Sequence, residues 1–339
     1  MPFRQIVGHR RLLALLARAV AQHTLPPSLL FAGPRGVGKR RTALALAETI
    51  NCPTPVSAPG FLVDACGECA SCRRIARGVH PDVLIVEPGE MGSIKIDQAR
   101  DIVDRAGYRP FEGRRRLVVI DEAEAMGADA QDALLKTLEE PPPASVFVLV
   151  SSMPDALLPT VRSRCQRLRF GELSPAEVAE ALVRDHEYDE SEARALAADA
   201  GGSIGCALSA AETDAAAARE MARHVLEQAA RLRDPARRID VARDVTPTGG
   251  KMSPAAERDQ LAACLRALGS LLRDIGLLGA QGEAAVLANA DLAPQLRVLA
   301  STFDSDRTVR AYASVDQALA ALERNASAKV VADWLVLQL

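Results

Sequence analysis

Apolar residues Leu12, Leu13, Leu15, Leu16, Ala19 and Val20 recur at helical spacing near the start of the chain. Four short, nearly unbroken apolar runs follow, at Leu29–Ala32, Val83–Val86, Leu117–Ile120 and Val146–Val150. Helical patterns separate them, at Lys39–Thr49, Asp97–Ala106 and Ala128–Leu138. Strands that alternate with helices and lack a polar face predict a parallel sheet buried on both sides. Beyond about residue 170 no further strand is expected. Ser174-Pro175-Ala176-Glu177 is a capping box with proline at the first helical position. Asp189 and Ser191-Glu192 open a second helix, and Gly201-Gly202-Ser203 breaks the pattern before a third. From about residue 214 the chain is rich in Ala, Leu and Arg and helical, with one linker-like interruption at Val245-Thr246-Pro247-Thr248-Gly249-Gly250. The expected class is α/β plus all-α: an α/β domain, a small helical domain and a larger helical one.

The length of 339 residues suits two or three domains. Aromatics at 3% alongside abundant Ala, Leu and Arg favour helix. The net charge of −3 conceals an asymmetry: residues 1–170 carry 23 Lys and Arg against 18 Asp and Glu, the remainder 18 against 26. A mildly basic front half is compatible with phosphate-bearing partners. No signal peptide or membrane-length apolar run is seen, so a cytoplasmic location is expected.

Gly33-Pro34-Arg35-Gly36-Val37-Gly38-Lys39 follows an expected strand and opens an expected helix, the context a P-loop requires. Gly33, Gly36 and Gly38 let backbone N–H groups curl around phosphate oxygens, and Lys39 would reach the terminal phosphates. The next residue should be Ser or Thr, whose hydroxyl holds Mg²⁺; here it is Arg40. Thr42 lies two positions on, about 200° around the helix, and cannot substitute by a small shift. An apolar strand ends in Asp121-Glu122. In an active P-loop enzyme the first acid would orient Mg²⁺ and the second would polarise the attacking water.

Seven cysteines, an odd number, argue against a disulfide framework. Cys52, Cys66, Cys69 and Cys72 have the form C-x13-C-x2-C-x2-C, and four such thiolates close a structural zinc site with no open position. His80 is an alternative ligand nearby. Pro53–Gly60 offers little apolar surface, so the metal would supply the local core. Cys165, Cys206 and Cys264 are isolated and expected to be packed.

With these pieces placed, a family resemblance becomes specific. Ala133-Leu134-Leu135-Lys136-Thr137-Leu138-Glu139-Glu140-Pro141-Pro142, Ser163-Arg164-Cys165 and Ile6-Val7-Gly8-His9 resemble motifs of the AAA+ clamp loaders of bacterial DNA polymerase III. The P-loop and the four-cysteine insertion fall in that family's order. The resemblance covers residues 1–170 closely and the rest mainly in length and helicity. It implies an AAA+ P-loop domain over 1–170 with a zinc insertion at about 50–75, a helical lid over 171–212 and a helical collar over 213–339. The family's motor branch (γ/τ) keeps Thr after the P-loop Lys and an Arg in the lid. This chain has Arg40, and Gly202-Ser203-Ile204-Gly205-Cys206-Ala207-Leu208 lacks that Arg. Both departures resemble the δ′ branch. That branch implies no intrinsic ATPase, an impaired ATP/Mg²⁺ site, and membership of the polymerase holoenzyme. The implied partners are the γ/τ motor subunits and δ in a hetero-pentamer, the sliding clamp, and primer–template DNA, with no membrane. It also implies that Arg164 is an arginine finger acting on a neighbouring subunit's ATP.

Two other readings compete. One is an active AAA+ ATPase with an unconventional magnesium ligand, kept open by Asp121 and Glu122. The other is a zinc-dependent nucleic-acid binder with a vestigial P-loop, to which Arg114-Arg115-Arg116 would contribute. Its weakness is that no nucleic-acid-binding module or aromatic stacking set accompanies that run.

Overall fold

The computed structural model describes residues 1–89, 92–212, 215–232, 234–245, 254–280, 287–324 and 326–339. The chain forms two compact units, Met1–Leu208 and Ser209–Leu339. The linker expected at 245–250 lies, from Thr246 onward, outside the described residues.

The first unit is built on a five-stranded sheet, β1 (Ser28–Ala32), β4 (Val83–Val86), β5 (Arg116–Ile120), β6 (Ser145–Ser151) and β7 (Gln166–Arg169), in the order β4-β5-β6-β1-β7. Every pairing in it is parallel. The expected two-sided burial is explicit in the alternation of side chains. Leu29, Phe31, Leu117, Val119, Val146 and Val148 join one core. Leu30, Val118, Ile120, Phe147 and Leu149 join the other. Helices α1 (Arg10–Ala21) and α2 (Lys39–Asn51) cover the first face through Leu13, Leu16, Ala43 and Leu46. Helices α4 (Ile96–Ala106) and α5 (Ala128–Glu139) cover the second through Ala99, Ile102, Leu134 and Leu138.

Two features escape the hydrophobic pattern. β7 reads Gln166-Arg167-Leu168-Arg169 and is mostly exposed; as an edge strand it needs only the backbone pairing to β1. Between α2 and β4 lies an antiparallel hairpin, β2 (Val56–Ala58) and β3 (Phe61–Asp64), then α3 (Ala70–Ala76). Its strands of three and four residues are too short to give a period.

After β7 the capping box forms as read: Ser174 Oγ accepts from the Glu177 amide and Glu177 accepts from the Ser174 amide, opening α7 (Pro175–His186). Asp189 caps α8 (Glu190–Asp199) by accepting from the Ser191 and Glu192 amides. With the start of α9 (Ile204–Glu212) these helices bury Leu173, Val178, Leu182, Ala193, Ala197 and Ala207 in a small core. The second unit is helical: α10 (Ala215–Arg231), α11 (Pro235–Val245), α12 (Pro254–Gly279), α13 (Ala293–Ala300), α14 (Ser305–Glu323) and α15 (Ala328–Gln338). Leu226, Leu265, Leu272, Leu296, Phe303 and Leu335 lie in its core. The α/β plus all-α class is therefore the one observed. Among the described residues no helix is long and apolar enough to cross a membrane.

Because all five strands run one way, the segments following β1, β4, β5 and β6 emerge on one edge of the sheet. That edge is where open α/β sheets place ligands.

Candidate functional site

The loop between β1 and α2 sits on that edge. Gly36 (φ +73°) and Gly38 (φ +100°) occupy the left-handed region, and Gly38 caps α2. Lys39 is buried, and its Nζ donates to the carbonyls of Gly33 at 2.6 Å and Pro34 at 2.5 Å. Burial pushes its ammonium down to about 8, opposed by the nearby carboxylates of Glu124, Asp121 and Glu122. Thr42 faces inward and returns its hydroxyl to the Gly38 carbonyl at 3.0 Å, so it offers nothing to a metal.

Arg40 decides the character of the site. Its Nη1 lies 3.3 Å from Asp121 Oδ2 and also pairs with Glu87, the residue that follows β4. Asp121, following β5, is the acid that would orient Mg²⁺ in an active relative. A Mg²⁺ ion does not fit these residues: the hydroxyl ligand is missing, and a guanidinium already holds the carboxylate. Burial raises the Asp121 carboxyl, and Arg40 is the leading influence holding it down. Glu122 lies 3.7 Å from Arg35 of the loop. Ser152, following β6, donates from its amide (3.0 Å) and hydroxyl (2.5 Å) to Glu124. Gly33, Gly36, Gly38, Lys39, Asp121 and Glu122 are thus brought to one edge of the sheet.

The segment Ser203–Gly205 packs on this loop. Ser203 Oγ donates to the Arg35 carbonyl at 2.8 Å, and the Gly205 amide donates to the Gly36 carbonyl at 3.1 Å. A Cβ on Gly205 would stand 2.9 Å from Gly36 Cα, so only glycine permits this approach.

Cys52, at the end of α2, meets Cys66, Cys69 and Cys72 of the loop and start of α3, with all four sulfurs within 4.8 Å of one another. A tetrahedral ion with bonds to sulfur of about 2.3 Å requires sulfurs about 3.8 Å apart. Cys52 Sγ and Cys69 Sγ are 4.0 Å apart. Backbone amides of Cys66, Glu68, Cys69 and Cys72 point at the sulfurs at 3.4–3.5 Å, the arrangement that stabilises thiolates. Gly67 (φ +85°) makes the tight turn. The quartet could therefore hold a metal ion. Asp64 and Arg4 brace it: Asp64 accepts from the Phe3 and Arg4 amides, and Arg4 donates to the carbonyls of Ala65 and Cys66. His80 is turned elsewhere. Its Nδ1 accepts from the Asp82 amide, which leaves Nε2 to donate to Ser71 and Glu112. Of the isolated cysteines, Cys165 and Cys264 are buried and Cys206 is half-buried.

Residues 8–174 match the family described as "DNA polymerase III, delta subunit". Over 146 residues the chain is 42% identical to DNA polymerase III subunit delta′ of Pseudomonas aeruginosa, covering 43% of this chain and 42% of that protein. Residues 8–174 are thus similar to subunits of the DNA polymerase III clamp loader. DNA polymerase III subunit tau of Escherichia coli is 34% identical over 212 residues, covering 61% of this chain and 32% of that one. The chain thus spans less than half the length of these curated relatives. A gamma subunit-related protein of Thermotoga maritima aligns over 95% of this chain and 96% of its own at 20% identity, with a TM-score of 0.43.

Arg164 is the last residue of α6 (Pro159–Arg164), just before β7. Gln166 pairs with Leu29 at the start of β1, so Arg164 lies on the sheet edge opposite its own P-loop. A strand of four residues separates those edges by about 13 Å. Arg164 and the chain's own loop are therefore not brought together. Arg164 instead donates from Nε (3.2 Å) and Nη2 (2.9 Å) to Glu139, and from Nη1 to the Thr160 carbonyl. Arg162 pairs with Asp155.

The basic run at 114–116 is not a uniform solvated turn. Arg116 is buried, with Nη2 on Asp82 at 3.0 Å and further donations to the carbonyls of Arg105, Tyr108 and Arg109. Residue-by-residue reading missed Glu87, Glu124, Ser152 and Asp82. Apart from their following or preceding strands, nothing local distinguishes them from other surface polar residues.

Proposed function

We propose that this chain serves as a δ′-type subunit of the clamp loader, a non-hydrolysing member of an ATP-driven ring. The observation that carries the reading is Arg40, which stands where a metal-binding hydroxyl is required and pairs with Asp121. The lid adds support, since Gly205 occupies the stretch where motor subunits carry an arginine. In this reading residues 171–212 form the lid and 213–339 the collar that joins the ring. The partners are three γ/τ motor subunits and δ, and the ring opens and places the sliding clamp on primer–template DNA. The chain would thereby belong to a DNA polymerase holoenzyme working in the cytoplasm, without an ATPase activity of its own. The four cysteines hold one structural Zn²⁺; four sulfur donors within 4.8 Å of one another fit a closed site. Arg164 serves as the arginine finger, and its place on the edge away from its own loop supports action on a neighbour's nucleotide.

The test is steady-state ATP hydrolysis by the purified chain, alone and mixed with γ/τ and δ, together with ring assembly by size-exclusion chromatography. The chain alone should show no hydrolysis above a Lys39→Ala variant, and the mixture should form one complex. Hydrolysis that disappears in Lys39→Ala would establish an active ATPase instead. Failure to join the complex would remove the clamp-loader role.

A further inference from the structure

Asp121 and Glu87 end two adjacent strands, β5 and β4, and both carboxylates meet Arg40 Nη1. In a metal-dependent P-loop the acid at the position of Asp121 would be balanced by the divalent ion that also accompanies the phosphates. Here the balancing charge is covalently part of α2, in the residue directly after the phosphate-reaching lysine. The rest of the anion cradle is retained: two left-handed glycines, the N-terminus of a 13-residue helix, and a buried lysine held against the loop carbonyls. We propose that Arg40 is a built-in substitute for the divalent cation, and that this P-loop binds a polyphosphate anion, such as a nucleoside di- or triphosphate, without metal.

A guanidinium is planar, permanently charged and carries five N–H donors, so it can hold carboxylate on one side and phosphate oxygens on the other. Both carboxylate contacts fall on Nη1, and the side chain remains 45% exposed. A metal-bound polyphosphate would bring a second cation against Arg40. A metal-free one would bring the negative charge that Lys39 and Arg40 attract. The same swap accounts for a loop that keeps its phosphate cradle while lacking the means to hydrolyse. The inference deepens the non-hydrolysing reading of this loop and is separable from membership of the ring, because it concerns the isolated chain.

The test is calorimetric titration of the zinc-loaded chain with ATP, ADP and pyrophosphate, each in chelator-free buffer without Mg²⁺ and in excess Mg²⁺. Wild-type protein is expected to bind at least one of these without Mg²⁺, and to bind it no more tightly with Mg²⁺. Pyrophosphate binding as tight as ADP binding would assign recognition to phosphate alone; tighter ADP binding would assign a share to the nucleoside. Lys39→Ala should weaken binding about tenfold or more. Arg40→Thr, which leaves Asp121 and Glu87 without their cation, should bind weakly without Mg²⁺ and recover about tenfold or more when Mg²⁺ is added. A thermal melt checks that the variant is folded. If it is not, Arg40→Gln serves in its place. Wild-type binding that requires Mg²⁺, no binding of any of the three anions without Mg²⁺, or a folded Arg40 variant with wild-type metal independence would each overturn the proposal. In none of these cases is ring assembly affected, so the clamp-loader role is judged separately.

Discussion

Replacing Asp82 by Asn should be among the most damaging single changes in the first unit. The residue precedes β4 and is fully buried. Its carboxylate accepts from the amides of Phe111 (2.7 Å), Glu112 (2.9 Å) and Gly113 (2.8 Å), and from Arg116 Nη2 at 3.0 Å. One side chain thereby ties the start of β4 to the loop before β5 and neutralises a buried guanidinium. Asparagine keeps the shape but removes the charge and turns one acceptor into a donor. Breaking a buried ion pair by removing one partner costs about 3–5 kcal/mol, a large share of the ~5–15 kcal/mol that holds a typical domain together. For a unit of this size that corresponds to a fall in Tm of roughly 10 °C. Urea and thermal unfolding followed by circular dichroism would measure it, with the double variant Asp82→Asn/Arg116→Met expected to recover part of the loss. The pH dependence has a fixed sign. Burial alone would raise the Asp82 carboxyl, but the three amides and Arg116 outweigh it and hold the group below the ordinary aspartate range. Its stabilisation is therefore complete above that range, and is lost as pH falls below about 4 and through the folded-state value. Wild type should show this acid loss and Asp82→Asn should not. A variant within about 1 kcal/mol of wild type at neutral pH would refute the reasoning.

Three further outcomes are expected. Elemental analysis should find about one zinc per chain, and chelation should raise hydrogen exchange in residues 50–75 while the parallel sheet stays protected; global unfolding on chelation would contradict the placement of the site in an insertion. Gly205→Ala should push the start of α9 off the loop between β1 and α2, because its Cβ would stand 2.9 Å from Gly36 Cα. It should lower stability by about 1–3 kcal/mol and expose the 170–174 segment to protease, and an unchanged melt and cleavage pattern would sink the idea. Glu139→Gln should alter stability by less than about 0.5 kcal/mol, since the Arg164 pair is solvent-exposed; a larger loss would show that Arg164 is a structural tether rather than a group available to a neighbour.

Much of the fold was legible because the three interior strands, β1, β5 and β6, are buried at every position and carry polar residues only at their ends. β7 was not, since an edge strand of Gln166-Arg167-Leu168-Arg169 satisfies its backbone on β1 without contributing an apolar face. The P-loop, the Asp121-Glu122 pair and the cysteine quartet could be read because each is a local motif with its own spacing. What answers them could not. Glu87 meets Arg40 from the end of β4, Asp82 meets Arg116 at the starts of the paired strands β4 and β5, and Gly205 meets Gly36 from another helix. Such pairings depend on topology, so sequence spacing carries no trace of them. The Arg114-Arg115-Arg116 run makes the same point: three identical residues in a row divide between solvent and interior only once the strand that begins at Arg116 is in place.

The central claim, a subunit that cannot hydrolyse ATP yet completes a neighbour's site, is tested most directly by Arg164. The measurement is DNA- and clamp-stimulated ATP hydrolysis, together with clamp loading, by a loader reconstituted with γ/τ, δ and either wild-type chain or Arg164→Ala. Removing an arginine finger lowers the rate at the affected site by about 10³-fold or more. The Arg164→Ala ring should assemble normally but lose hydrolysis at the adjoining motor site and load clamps poorly, and Arg164→Lys should recover little because a point charge lacks the planar two-donor contact. Wild-type hydrolysis and loading by a normally assembled Arg164→Ala ring would contradict it.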